Sequence, residues 1–196
     1  MKKIFYIIIA LCCISNIEIL AQGKTYFISP SGDDSNSGLS IHNPWKTIQK
    51  VNQYTFQPGD AILFETDGKW KGHLQPQGSG EKGNPITLGS YGKAGRPVIT
   101  IGQAEGAAIK LVNQSWWEIK DIEITSGAQP KRGVDRFGIV ALAKGEEDVQ
   151  HIVVKNCFIH DIWGQLGHEE DYTGVRNTAV IVKALDKAEG TYNDIL

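Results

Sequence analysis

The sequence has little cysteine and no surplus of charge of either sign. Its 196 residues include three cysteines, and two of them, Cys12 and Cys13, lie in an apolar N-terminal segment. Residues 1–21 have the pattern of a signal peptide, with a basic start, an apolar run and a small residue, Ala21, at the expected cleavage point. The mature chain would keep only Cys157, which excludes an intramolecular disulfide. We therefore expect an exported protein, secreted or periplasmic, whose core is stable without covalent cross-links.

Long apolar runs are absent after residue 21. A helix that spans a membrane needs about 20 mostly apolar residues, so no membrane span is expected. The formal net charge of −2 gives no indication of a nucleic-acid or anionic-membrane partner. Helical patterns are scarce as well, while the 22 glycines and five tryptophans fit a single all-β domain. We expect the full-length protein to be monomeric.

The segment after the signal has three successive patterns. Residues 25–29 predict a short strand, and residues 30–38 predict a polar loop rich in turn-forming residues. Asn43 can cap a helix that starts at Pro44 and continues to about residue 54, with an apolar inner face. Residues 61–64 then predict a strand whose lack of alternation indicates cover on both faces.

Four motifs in this region carry a resemblance to a known family: Tyr-Phe-Ile-Ser-Pro at 26–30, Gly-Asp-Asp-Ser-Asn-Ser-Gly at 32–38, Asn-Pro-Trp-Lys-Thr-Ile-Gln at 43–49 and Pro-Gly-Asp at 58–60. Their order resembles the N-terminal cap of exported bacterial proteins of the right-handed parallel β-helix (pectin-lyase-like) family, which includes polysaccharide lyases and some glycoside hydrolases. The resemblance implies an all-β, single-stranded, right-handed parallel β-helix whose first coil is plugged by the helix. It places the strand, loop and capping helix in residues 22–60 and the coils in residues 61–196. It also implies a polysaccharide or oligosaccharide as partner.

Internal repeats indicate the same architecture independently. Residues 117–126 align without gaps on residues 152–161, and the strands at 107–112, 138–143 and 179–184 form a second set. Stacked coils would place the apolar positions of the repeat in one continuous interior, made by Ile119, Ile122, Ile124, Val154, Cys157 and Ile159.

The repeat makes two further predictions. Asp121 and Asn156 fall where the chain bends between strands, and short polar side chains there can satisfy turn backbone groups. The last coil is unfinished at Leu196. Because an uncapped coil would expose a strand edge, we expect a truncated fragment of a longer protein.

The best candidate site in the sequence is the polar loop at 160–176. Its carboxylates could serve as acid and base in glycoside hydrolysis, and its aromatic rings could stack on sugars. The predicted catalytic candidates are His168, Glu169, Glu170 and Asp171, and the predicted sugar contacts are His160, Asp161, Trp163, Tyr172 and Arg176. An Arg or Lys could instead abstract the proton next to a uronic-acid carboxylate, with a metal or other cation neutralising that carboxylate. The competing interpretation is a solvated loop whose charges only keep the chain soluble.

Other segments offer less specific signals. A basic loop at 129–136 could contact an acidic sugar through Arg132 and Arg136, although an exposed connection is the simpler explanation. The 32–38 loop offers oxygens for calcium but lacks the bidentate Glu of a helix-loop-helix site. A capped turn is therefore favoured there, and no metal ligands are assigned. Trp116 and Trp117 start a strand, and alternation directs one of them inward.

Two classes of function follow from the sequence. The first is a secreted enzyme that cleaves a polysaccharide, either a lyase or a glycoside hydrolase. The family resemblance implies that its decisive catalytic residues belong to the middle coils, most of which would lie beyond Leu196. The second is a noncatalytic module that binds glycans or attaches to a surface. A nonfunctional truncated remnant is a third interpretation.

Overall fold

The computed structural model describes residues 23–102, 104, 106–127, 135–145, 148–163, 177–185 and 192–195. The predicted signal peptide lies outside these residues. The described elements comprise one helix, α1 (Ile48–Asn52), and the strands β1 (Thr25–Ile28), β2 (Ala61–Glu65), β3 (Lys69–Lys71), β4 (Ile86–Tyr91), β5 (Val98–Thr100), β6 (Gly106–Val112), β7 (Trp117–Lys120), β8 (Glu123–Thr125), β9 (Arg136–Lys144), β10 (Val149–Lys155), β11 (Phe158–His160), β12 (Asn177–Leu185) and β13 (Tyr192–Ile195). Within the described ranges no helix is long and apolar enough to cross a bilayer.

The strands form three parallel sheets that the chain visits in turn. Sheet 1 has the order β1-β2-β4-β7-β10-β13, sheet 2 the order β11-β8-β5-β3, and sheet 3 the order β12-β9-β6. From β4 onward each coil contributes one strand to sheet 1, one to sheet 2 and one to sheet 3. We call these coils A (β4 to β6), B (β7 to β9) and C (β10 to β12). The fold is therefore all-β and β-helix-like, with the next coil as the partner of each strand.

The strand register confirms most of the predicted repeat. Trp117 pairs with Ile152 in sheet 1, and Ile124 pairs with Ile159 in sheet 2, as the ungapped alignment requires. In sheet 3 the alignment of 138–143 on 179–184 is also confirmed. The predicted correspondence of the strands at 107–112 and 138–143 is confirmed as well, since β6 pairs with β9 and Ile109 lies opposite Ile139.

The interior consists of stacked apolar columns. One column in sheet 1 joins Ile62, Leu88 and Ile119, and one in sheet 2 joins Trp70, Ile99 and Ile124. These side chains are buried. The predicted interior positions agree: Ile119, Ile122 and Ile124 are fully buried, while Val154, Cys157 and Ile159 pack against the core with partial exposure. Burial raises the pKa of the Cys157 thiol, which favours its neutral form.

The N-terminal helix is shorter than predicted. It begins after Thr47, whose side chain accepts a hydrogen bond from the Lys50 N–H, so the prediction of Asn43 as cap is wrong. Trp45 is instead extended and bridges to Ile28. The cause is the Asp34 carboxylate, which accepts hydrogen bonds from the backbone N–H groups of Lys46 and Thr47 at 2.8 and 3.0 Å and from the Thr47 hydroxyl.

The β2 strand also differs from its prediction. Burial alternates along it, with Ile62 and Phe64 buried and Leu63 only partly so. The expected cover on both faces is therefore wrong. In a β-helix-like coil the outer face of a sheet meets loops or solvent, so an apolar outer residue such as Leu63 needs no second layer.

Candidate functional site

Four of the predicted site residues lie in the described part of the chain: Arg136, His160, Asp161 and Trp163. The other seven, Arg132, His168, Glu169, Glu170, Asp171, Tyr172 and Arg176, lie outside it. The predicted polar loop is thus described at its beginning only, where it leaves sheet 2. The site is built from this point.

The outer face of sheet 2 is a narrow platform of two residue columns. Each strand of this sheet has three residues, and strand alternation directs the middle one inward and the flanking ones outward. Of the flanking residues, Thr125 is itself buried. The strand pairing produces one outer column of Lys69, Val98, Glu123 and Phe158 and a second of Lys71, Thr100, Thr125 and His160. Basic residues therefore occupy one end of the platform, and an acid with two rings occupies the other.

His160 contacts two acids, Glu123 of this platform and Asp161, the residue that follows it in the chain. Its Nδ1 lies 2.9 Å from Asp161 Oδ2, and its Nε2 lies 3.3 Å from Glu123 Oε1. The ring stacks on Phe158 with 4.3 Å between centroids. The hydrogen bond to Asp161, with a further contribution from Glu123, raises the pKa of His160 above its usual value. The protonated imidazole is thus favoured between two carboxylates.

Ser126 holds the segment that follows His160. Its hydroxyl donates to the Asp161 carbonyl and accepts from the Trp163 N–H at 3.3 Å. Ser126 is fully buried, whereas the Trp163 side chain is 46% exposed and Phe158 is 52% exposed. A buried hydroxyl therefore fixes the backbone that presents the exposed indole of Trp163.

Arg136 does not contact the surface. Its side chain is fully buried, and it donates to the carbonyl of Ala104 at 3.2 Å and to that of Trp163. The prediction of Arg136 as a sugar contact is corrected by this burial. Arg136 is the last residue of the predicted basic loop and the first residue of β9. Its side chain points into the corner between sheets 2 and 3.

The 32–38 loop uses its carboxylates internally. Asp33 accepts hydrogen bonds from the Ser35 N–H and hydroxyl, and Asp34 accepts those that set the start of α1. These contacts account for both carboxylates as parts of a capped turn. In the described ranges no three His, Cys, Asp or Glu side chains are grouped so that they could hold a metal ion.

Two side chains of the site, Glu123 and Phe158, were missed from the sequence alone. Both occupy the outward positions of short strands in neighbouring coils and pair directly in the register. The ungapped repeat alignment contains the signal that could have found them, because it sets Glu123 opposite Phe158 and Thr125 opposite His160. The signal lies at the outward positions of the repeat, whereas the predicted interior used only its apolar positions.

The chemistry of the described site favours sugar binding. Glycoside hydrolysis commonly needs two carboxyl groups that flank the scissile bond. Here Glu123 and Asp161 flank the imidazole of His160 instead, and one carboxylate oxygen of each acid contacts a ring nitrogen. Carboxylate oxygens that remain free accept hydrogen bonds from sugar hydroxyls, and the exposed faces of Phe158 and Trp163 can stack on sugar rings.

Substitution of Asp161 by Asn is expected to lower the pKa of His160, and Glu123→Gln is expected to lower it less. Asp161 makes the shorter contact, and both acids favour the charged ring. Imidazole chemical shifts followed by NMR across pH 5–9 would measure both values, with Glu81→Gln, in a distant turn, as the control. Because the folded state raises the pKa, this stabilisation is complete below the unfolded value of about 6.5 and is lost as the pH rises through the folded value. Equal values in wild type and Asp161→Asn would contradict the described geometry.

Comparison with known proteins gives relatives that act on carbohydrates. No family model matches the sequence. Over 147 residues, 71% of this chain, it is 32% identical to a lacto-N-biosidase from Bifidobacterium longum subsp. longum, and it spans 8% of that protein's length. This sequence similarity indicates a relationship to a carbohydrate-cleaving enzyme.

The solved structures agree on the fold. The native crystal structure of a GH136 lacto-N-biosidase from Eubacterium ramulus is similar to 88% of this chain with a TM-score of 0.75 and 22% identity, and 33% of that chain is covered. Its selenomethionine derivative gives a TM-score of 0.76. A rhamnogalacturonan lyase matches 88% of this chain and 54% of its own, with a TM-score of 0.55 and 18% identity. The β-helix-like architecture is thus shared with carbohydrate-active proteins of two reaction types.

Proposed function

We propose that this chain is the N-terminal part of an exported glycoside hydrolase with a right-handed parallel β-helix, which cleaves glycosidic bonds of an oligosaccharide or polysaccharide. The observation that carries the proposal is the 32% identity to a lacto-N-biosidase over 147 residues. The lyase alternative has the support of fold similarity alone, at 18% identity. Export, periplasmic or extracellular location and a monomeric state belong to the same proposal, and the pattern of residues 1–21 supports the first of these.

The finer architecture has physical support. Crossover connections between parallel strands are right-handed in about 98% of cases, which favours a right-handed coil here. The role of α1 as an N-terminal plug is supported by Ile48 and Val51, which are buried in the same core as the coils. The Trp70 indole N–H also donates to the Lys46 carbonyl at 2.9 Å, which ties the approach to α1 onto the first strand of sheet 2.

We assign sugar binding to the platform on sheet 2 and bond cleavage to residues outside the described ranges. His168, Glu169, Glu170 and Asp171 are the candidates within this chain, and coils of a longer protein are the other source. The second source is supported by coverage, because the chain matches only 33% of a solved lacto-N-biosidase and 8% of the curated one.

Incubation of the full-length protein with a lacto-N-biose-terminated oligosaccharide is expected to release the disaccharide. Neutral and uronic-acid polysaccharides, tested in parallel, would define the range of substrates. A hydrolase yields reducing ends without absorbance from an unsaturated uronate, whereas a lyase yields that absorbance. Formation of unsaturated uronate would overturn the hydrolase proposal, and the absence of any cleavage across the panel would favour a noncatalytic protein.

A noncatalytic glycan-binding or adhesion module is the second candidate, and one observation favours it. Glu123 and Asp161 both contact His160, which leaves a surface suited to binding. Joint replacement of Glu169, Glu170 and Asp171 by Ala separates the candidates. Unchanged glycan affinity, together with no turnover by the parent protein, would support the module.

A further inference from the structure

A cavity of about 360 Å³ lies where sheet 1 passes into sheet 2. Small-molecule sites commonly have volumes of about 300–1,000 Å³, so one or two sugar units are an appropriate occupant. The loop between β4 and β5, residues 92–96, forms one wall, and the corner residues Asp121 and Asn156 of coils B and C form another. Ser90 and Thr66 add hydroxyl groups to the lining.

The loop wall is fixed by close packing. A Cβ atom on Gly92 would lie 2.2 Å from Thr66 Oγ1, and one on Gly95 would lie 2.1 Å from Asp67 Oδ1. Both glycines have positive φ, 127° and 86°, which residues with side chains rarely adopt. The Asp67 N–H also donates to the Arg96 carbonyl at 3.3 Å. The cavity is therefore shaped before a ligand arrives, which reduces the entropic cost of binding.

Arg96 is oriented across the cavity. Its Nε donates to the Asn156 carbonyl at 3.3 Å, and its Nη2 donates to Asn156 Oδ1 at 3.0 Å, over a separation of 60 residues. Asn156 in turn donates to Asp121, which occupies an oxygen of that carboxylate. An arginine has five N–H donors, so its fork keeps donors available for a further acceptor.

The cavity carries two cations, Lys93 and Arg96, and one acid, Asp121, whose carboxylate accepts a hydrogen bond from Asn156. The ion pairs found among the described residues involve His151 and His160, and neither Lys93 nor Arg96 takes part in one. Lys93 is exposed, and Arg96 is partly exposed. An anion between them would gain charge-assisted hydrogen bonds from both, of the kind that arginine forms with carboxylates and sulfates or phosphates.

We propose that this cavity binds the anionic substituent of a sugar, a carboxylate or a sulfate, with Lys93 and Arg96 as its cationic contacts. The cavity and His160 lie at opposite ends of the three-residue strands of sheet 2, a span of roughly 10 Å at about 3.3 Å per residue. One glycan can therefore occupy both. This inference rests on the proposed binding of a glycan and adds a property to it. The platform on sheet 2 would bind neutral and acidic glycans alike, whereas the cavity would select a glycan with an acidic substituent.

Affinity of the full-length protein for four probes tests the proposal. Methyl glucuronide is paired with neutral methyl glucoside, and N-acetylglucosamine 6-sulfate with N-acetylglucosamine, each titrated by saturation-transfer NMR. At least one anionic probe is expected to bind about tenfold or more tightly than its neutral partner, as one charge-assisted contact predicts. The preferred arm identifies carboxylate or sulfate, and rising salt is expected to weaken the preference.

Variants locate the binding. Lys93→Gln is expected to reduce the anionic preference several-fold, and Arg96→Gln to abolish it, whereas Lys82→Gln on an exposed turn serves as the matched control. The Lys93 side chain makes no ion pair with another described residue, so its variant keeps the test valid even if loss of the Asn156 contacts destabilises Arg96→Gln. Thermal melts of both variants would show this. Equal affinity for charged and neutral probes, absence of binding by all four, or full preference in Lys93→Gln would overturn the proposal. None of these readouts depends on turnover, so failure here and failure of the hydrolase assignment are separate results.

Discussion

Replacement of Trp117 by Ala is expected to lower the free energy of unfolding by about 3–5 kcal/mol, the range for deletion of a buried aromatic side chain. Trp117 is fully buried and pairs with Ile86 on one side and Ile152 on the other. Its indole N–H also donates to the Gly78 carbonyl at 3.0 Å. The variant would therefore leave a cavity in the middle of the coil stack and a carbonyl without this donor. Urea denaturation followed by circular dichroism would measure the loss.

Its neighbour Trp116 provides a matched control. The Trp116 ring stacks on His151 with 4.7 Å between centroids, outside the core cluster. Trp116→Ala is expected to lower the free energy of unfolding by about 1 kcal/mol, as loss of one ring stack predicts. Trp116 also has a φ of 61°, so Trp116→Gly is expected to recover part of this by relieving backbone strain. Similar losses for the two alanine variants would contradict the inward orientation of Trp117.

The coil architecture could be predicted because it repeats in the sequence. A parallel stack imposes the same apolar positions on every coil, and the ungapped match of 117–126 with 152–161 is the register that the strands adopt. The bends between sheets 1 and 2 could be predicted from the same repeat. Asp121 and Asn156 both have positive φ and are hydrogen-bonded to each other, as short polar residues at stacked bends permit.

The N-terminal details could not be predicted, because distant partners decide them. The pattern around Asn43 satisfies the local rules for a helix start, but the Asp34 carboxylate takes the N–H groups of Lys46 and Thr47 and holds that stretch extended. Trp45 then joins an aromatic cluster with Tyr26 and stacks on its ring at 4.9 Å. A contact between residues a dozen positions apart has no signature in a helical periodicity.

The candidate site was predictable in part for a similar reason. His160 and Asp161 stand in a conspicuous polar segment, whereas their partner Glu123 comes from the preceding coil. The side chains of the site come from two successive coils, so a single contiguous segment of sequence contains only some of them. Arg136 illustrates the opposite case, since its charge suggests a surface while its contacts lie inside.

Replacement of Arg136 by Gln is expected to lower the free energy of unfolding by about 3 kcal/mol. Each buried carbonyl that is left without its charged donor costs about 1–3 kcal/mol of stability. The Arg136 side chain belongs to coil B. It donates hydrogen bonds to the carbonyl of Ala104 in coil A and to the carbonyl of Trp163, which follows β11 in coil C. One side chain therefore connects three successive coils at the same corner. Chemical denaturation would measure the effect, with Lys144→Gln, an exposed cation on the same strand, as the control.

The same variant separates a positioning role from direct sugar contact. A residue that touched the glycan would lower affinity when replaced and leave stability unchanged. Arg136→Gln is expected to lower stability first, and to weaken glycan binding only through the Trp163 backbone that it holds. Trp163→Ala should show the reverse, because its ring is 46% exposed and its loss removes little from the core. Unchanged stability in Arg136→Gln would contradict the buried bridge, and would return Arg136 to the surface role that its place in a basic loop first indicated.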